Sequence, residues 1–376
     1  MTLGAAVEGR RVVVCCGSGG VGKTTVSAAL GLGLAQRGGR VAVVTIDPAK
    51  RLATALAMDD LHDDARRVPP ERASAAGLRL DGELWALQLD PKATFDRLVS
   101  RQAPSPEARD RILANRVYRH LSGAVAGAQE YMAVERLYEL VEEGRYDHVV
   151  LDTPPAENAL DFLEAPQRIT RFIEGRALRL LLRPGLRAGK VGWRALQAGG
   201  TLVLSVLERL TGAQLLRDVS EFLGAFDGMY AGFRDRAQAV RALLRSPQAS
   251  FVVVSAPRLD PAREAAELWR RLEADGYPLG GLVMNRVTPL PAAPPPPVGH
   301  LAALLATAGA DEPGDLAERA ELTLAEVRAR GLRHLDVLEG LRGSLGGPPV
   351  TVVPALPRDP VDLGGLANVT RELLGY

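Results

Sequence analysis

Eight residues near the amino terminus, Gly17-Ser18-Gly19-Gly20-Val21-Gly22-Lys23-Thr24, restrict what this chain can fold into more than any other segment. They separate an apolar run, Val12-Val13-Val14-Cys15-Cys16, from a stretch of helical character, Lys23 to Gln36. A run with no polar position is apolar on both faces, as a central strand covered by helices on both sides must be. The spacing Gly-x-x-x-x-Gly-Lys-Thr turns such a strand into a helix whose amides and N-terminal dipole face an anion. Glycine is needed because the loop backbone has to approach that anion closely. In this pattern Lys23 neutralises β- and γ-phosphates and the Thr24 hydroxyl is a ligand for Mg²⁺.

The rest of the chain alternates β-branched runs with longer helical patterns, which predicts an α/β fold with a doubly wound, mostly parallel sheet. Strands are expected at Arg11–Cys15, Arg40–Ile46, Leu84–Leu89, His148–Leu151, Phe251–Ser255, Gly281–Met284 and Val350–Val353. Between residues 166 and 246 only helical periodicity is visible. There Leu215, Val219, Phe222, Phe226, Met229, Phe233, Val240 and Leu244 recur as an apolar stripe, and Gly224, Gly228 and Gly232 fall four apart. That segment reads as a helical insertion, dividing the main domain into residues 1–165 and 247–376. Pro289–Val298, with six prolines, reads as a stiff extended loop.

Two carboxylates follow expected strands. Asp47, in Thr45-Ile46-Asp47-Pro48-Ala49, either orients an attacking water, holds Mg²⁺ through water, or caps a helix that starts at Pro48. Asp152, in Val149-Val150-Leu151-Asp152-Thr153-Pro154-Pro155, either faces Mg²⁺ opposite Thr24 or caps a helix at Pro154. Asn285 follows the strand expected at Gly281–Met284, and the loop Pro354–Pro360, opening with Pro354, follows Val350–Val353; both loops emerge on the side where a nucleotide base would lie. The Asn285 amide suits the donor and acceptor edge of adenine, or serves as a turn residue.

Together these residues resemble the ArsA-type ATPases, which comprise arsenical pump-driving ATPases and targeting factors for tail-anchored membrane proteins. Gly19-Gly20-Val21-Gly22-Lys23-Thr24-Thr25 is similar to that family's phosphate loop, Asp47-Pro48-Ala49 to its first switch, and Asp152-Thr153-Pro154-Pro155 to its second. The resemblance implies a P-loop NTPase using ATP and Mg²⁺. It also implies a dimer that closes around two nucleotides, with the insertions forming an apolar surface and Asp47 orienting water. Ser18 stands where family members usually carry a lysine that reaches the partner's nucleotide, and Lys50 or Arg51 is expected to supply that charge instead. Cys15 and Cys16 cannot converge on arsenite. The Cys-x-x-Cys clasp of eukaryotic targeting factors is absent, so no structural zinc is expected.

Composition narrows the partners. A net charge of +1 offers no field for nucleic acid or an anionic membrane. Only four of the 46 basic residues are lysines (Lys23, Lys50, Lys92 and Lys190), and two of them fall beside the phosphate-loop elements. The Leu363–Leu374 helix, with Arg371 as its one base, is a weak membrane binder. The expectation is a cytoplasmic ATPase without stable membrane insertion. It would act as a homodimer or with a paralogue, and would hold a hydrophobic client or membrane-protein partner. Alternatives are a non-hydrolytic ATP sensor and a partition or positioning ATPase.

Overall fold

The computed structural model describes residues 2–47, 49–115, 118, 128–154, 230–291 and 296–375. In chain order the first half runs α1 (Leu3–Val7), β1 (Val12–Gly17), α2 (Lys23–Gln36), β2 (Arg40–Thr45), α3 (Arg51–Ala55), β3 (Arg66–Arg67), α4 (Pro70–Ala75), β4 (Glu83–Gln88), α5 (Pro91–Gln102), α6 (Pro106–Ala114), α7 (Ala128–Glu142) and β5 (His148–Asp152). The second half runs α8 (Tyr230–Arg245), β6 (Ala249–Ser255), α9 (Leu259–Ala274), β7 (Leu279–Val287), α10 (Val298–Thr307), α11 (Pro313–Ser344), β8 (Val350–Pro354) and α12 (Leu363–Leu374).

The strands form one sheet in the order β3-β4-β2-β5-β1-β6-β7-β8. Every pairing is parallel except the two-residue β3 against β4. After β1 the chain moves to one side of the sheet to build β2, and only later returns to the other side as β6. The carboxyl end of β1 is therefore a topological switch point, where open α/β sheets bind ligands. All six residues of β1 are buried, as its unbroken apolar run requires. Its two cysteines confirm the alternation: Cys16 packs into the core on one face and Cys15 into the core on the other.

The seven expected strands are all present, with ends displaced by up to three residues. Among the elements that the sequence did not mark individually are β3, too short to show a period, and the 32-residue α11. The proline loop is partly described, and α10 begins at Val298, where the prolines stop. α12 lies against α2, with the Thr370 hydroxyl donating to the Ala29 carbonyl at 3.0 Å. Its apolar face is spent on the core, which removes it as a membrane-binding helix.

Of the expected insertion, the described part is α8. Val240 and Leu244 of the apolar stripe are buried in the core; Leu215, Val219, Phe222, Phe226 and Met229 lie outside the described residues. At Gly232 of α8 a Cβ would meet the end of the Gln102 side chain, which that flexible side chain can relieve by shifting. Arg236 of α8 donates to the fully buried Glu135 of α7 at 2.6 Å, whereas Arg136 donates to Glu139 at 3.0 Å within α7 itself. Removing either partner of the Arg236–Glu135 pair would strand a buried charge, so that pair ties α8 to α7.

Candidate functional site

The loop between β1 and α2 opens onto a cavity of about 850 Å³ at the carboxyl ends of the strands. Gly22, the residue before α2, has a left-handed φ of 95°. A Cβ there would strike the Asn285 amide, so glycine is required twice over, by backbone conformation and by space. Lys23 is 8% exposed, and its ammonium donates to the carbonyls of Gly17 at 2.9 Å and Ser18 at 2.8 Å. Desolvation lowers its pKa, with the Asp152 carboxylate the foremost group opposing that. The lysine is held in place by the loop it serves.

Asp152 ends β5 next to β1 and β2, in register with Cys15 and Thr45. One of its carboxylate oxygens accepts from the Thr24 hydroxyl at 2.7 Å and from the Thr45 hydroxyl at 2.9 Å. The other is buried and has no hydrogen-bond partner. Burial pushes this carboxyl up to about 6, against hydrogen bonds from Thr24 and Thr45 that favour the charged form. A buried carboxylate oxygen with nothing to bind, beside a threonine hydroxyl lining the same cavity, suits a hard divalent cation. The residues present fit Mg²⁺.

Asp47 stands across the cavity. One carboxylate oxygen accepts from the Ala49 amide at 2.9 Å, closing a turn; the other lies 3.7 Å from Arg51 Nη1. The helix after it begins at Arg51 rather than Pro48, so Asp47 caps a turn and no helix. Lys50 and Arg51 both line the cavity, and Lys50 Nζ is 3.9 Å from Asp60.

Among the residues singled out from sequence, Gly20, Gly22, Lys23, Thr24, Thr25, Asp47 and Asp152 all line this one cavity. Gly19 is exposed on the loop, and Val21 is buried beneath it. Asn285 is also buried, its amide donating to the Val21 carbonyl at 2.9 Å, and thus supports the loop from below. Pro354 ends β8 away from the lining residues; Asp359, Pro360 and Val361, further along the same loop, form the wall instead. Asp359 and Pro360 belong to the Pro354–Pro360 loop expected at this edge; sequence reasoning gave no role to Val361, Arg286 or Thr45. Arg286 has a left-handed φ of 62° and lies 3.6 Å from Asp359. Its place directly after Asn285 was the one available signal. The Ser18 hydroxyl donates to Glu264 on α9, within its own chain.

A parallel sheet with a glycine-rich loop at its switch point, a buried lysine in that loop and a threonine–aspartate pair beside it define a P-loop nucleotide-binding protein. The family profile described as "Anion-transporting ATPase" matches residues 10–294. The chain belongs to the ArsA-type anion-transporting ATPase family. Relatives include ATPase ARSA1 of Chlamydomonas reinhardtii, 25% identical over 75% of this chain and 36% of that protein. ATPase ARSA2 of the same alga is 26% identical over 72% of this chain and 66% of its own length. ATPase GET3 of Podospora anserina is 28% identical over 42% of this chain and 43% of its own length. The chain thus spans less than half the length of ARSA1 and of this GET3. Among the described residues no helix is long and apolar enough to cross a membrane.

Proposed function

We propose that this chain binds ATP with Mg²⁺ in the cavity above the β1–α2 loop and hydrolyses it to ADP and phosphate. The observation that carries the reading is the convergence of Lys23, Thr24 and Asp152 on one cavity at the sheet's switch point. The loop amides and Lys23 grip the phosphates. Thr24 and Asp152 would hold Mg²⁺, which when bound supplies neutralising charge to the phosphate oxygens. Asp47 orients the attacking water, its carboxylate held by the Ala49 amide and by Arg51. Support for hydrolysis comes from the family; support for Asp47 comes from its position on the cavity wall and from its match to the family's first switch.

The resemblance supports a finer reading. Two copies, or this chain and a paralogue, close around nucleotide and couple hydrolysis to a hydrophobic client or membrane-protein partner on the segment 166–246. Lys50 or Arg51, both on the cavity wall, supplies the charge for which Ser18 is unsuited. Asp47→Asn is expected to retain ATP affinity while slowing turnover by roughly 100-fold, the low end for loss of a positioned proton acceptor. Calorimetry with ATP and a steady-state phosphate-release assay check both halves, run with and without an apolar helical peptide. Unimpaired hydrolysis by the variant removes Asp47 from the mechanism. The engagement of Ser18 by Glu264 favours a second reading, an ATP sensor, which tight ATP binding with negligible wild-type turnover would support.

A further inference from the structure

We propose that Arg286 holds the base of a bound nucleotide by its flat face, so that the site takes purine nucleotides generally and not adenine alone. This rests on the cavity being the nucleotide site. Besides the groups assigned to phosphate and metal, the cavity is lined by Arg286 from the end of β7 and by Asp359, Pro360 and Val361 from the loop after β8. A carboxylate repels phosphate, so this wall faces the uncharged part of the ligand, its base and ribose. Val361 is 62% exposed, an apolar surface that a covering ring withdraws from water.

The backbone at the end of β7 presents this arginine. Met284 pairs with Val352 and Val287 with Pro354, so three steps along β7 match two along β8. The extra residue is a bulge, a device that re-aims side chains beside binding sites. Arg286 absorbs it at a left-handed φ of 62°, a conformation that asparagine adopts more readily than arginine. Two consecutive side chains are thereby separated. Asn285 is buried, its amide donating to the Val21 carbonyl at 2.9 Å. Arg286 is exposed, with Nη1 3.5 Å from the Gly20 carbonyl and Nη2 3.6 Å from Asp359. The amide suited to reading a base edge is thus engaged by the loop, and a planar cation lines the cavity instead. A guanidinium stacks on the face of an aromatic ring. Every base has such a face, so the contact tolerates a change of base and grows with ring area.

Calorimetry on the full chain with Mg²⁺ and, in turn, ADP, GDP, CDP and pyrophosphate reads the base contact without interference from turnover. ADP and GDP should bind within about 10-fold of each other, and both more tightly than CDP or pyrophosphate. Arg286→Asn spares the left-handed backbone, so its melting temperature without ligand should not fall. It is expected to weaken ADP and GDP by roughly 10-fold, the worth of one stacked cation, and to leave pyrophosphate unchanged. Arg286→Lys keeps the charge but loses the plane, and should show the same loss. Three results would overturn the proposal: ADP held more than about 100-fold tighter than GDP, the mark of edge reading; pyrophosphate weakened as much as ADP by Arg286→Asn; or full ADP affinity in either variant. Each of these leaves the nucleotide site itself intact. A chain that takes up none of the four ligands would overturn the nucleotide reading and this proposal together.

Discussion

Lys23→Ala is expected to lower kcat/KM for ATP by roughly 10³-fold or more, the scale set by losing a preorganised cation at transferring phosphate. The fold should survive the change. The ammonium donates to the carbonyls of Gly17 and Ser18 and is buried near Asp152. Removing it leaves two carbonyls short of a donor, at about 1–3 kcal/mol each if they stay dry. It also removes a charge whose own burial is unfavourable, as the lowered pKa records. These effects oppose one another, so the loss should fall on function far more than on stability. Lys23→Arg should not rescue turnover, because a planar five-donor fork does not fit a pocket shaped for a compact ammonium. Steady-state kinetics, ATP calorimetry and thermal melts on both variants check this. Near-normal kcat/KM in the alanine variant would detach the loop from phosphate chemistry.

The fold was most legible where a segment's pattern had one physical explanation. β1 is apolar at every position because both of its faces are covered, and α2 starts at Lys23 because Gly22 ends the loop in a left-handed conformation. α11 was not legible, because charged residues occur around most of its surface and Gly331 interrupts its buried face. The site shows the same division. Thr24, Asp47 and Asp152 each carry a local signature, but sequence cannot say that one carboxylate oxygen is shared by Thr24 and Thr45, residues far apart in the chain. That sharing depends on β5 lying next to both β1 and β2, which is a property of strand order. Asn285 shows the limit from the other side. The residue was singled out for its amide, and that amide is spent on the Val21 carbonyl. Nothing in a strand-end asparagine indicates whether it faces outward to a ligand or inward to a loop. Arg286 and Asp359, likewise, meet only because β7 and β8 are neighbours.

Asp152→Asn should produce two effects of opposite sign. Without metal or nucleotide, Asp152 is held at about 6 against an ordinary 3.8, burial being the main cause. A carboxyl raised in the folded state binds its proton more readily there than in the unfolded chain, so folding favours the protonated form. Below about pH 4 both states carry the proton and the penalty is absent; it grows as pH rises from about 4 to 6 and reaches about 3 kcal/mol above that. Asparagine has no proton to lose, and its side-chain oxygen can still accept from Thr24 and Thr45. The metal-free variant should therefore be the more stable protein at neutral pH by up to about 3 kcal/mol, with the difference vanishing near pH 4. With Mg²⁺ and ATP the order reverses in function. A neutral amide cannot oppose a divalent cation as a carboxylate does, and turnover should fall by roughly 10³-fold, since metal charge contributes several kcal/mol in such sites. Thermal melts in EDTA across that pH range, paired with phosphate release titrated against Mg²⁺, separate the two effects. A variant no more stable than wild type at neutral pH, and still responsive to Mg²⁺, would show that this buried carboxylate serves the core and not the cation.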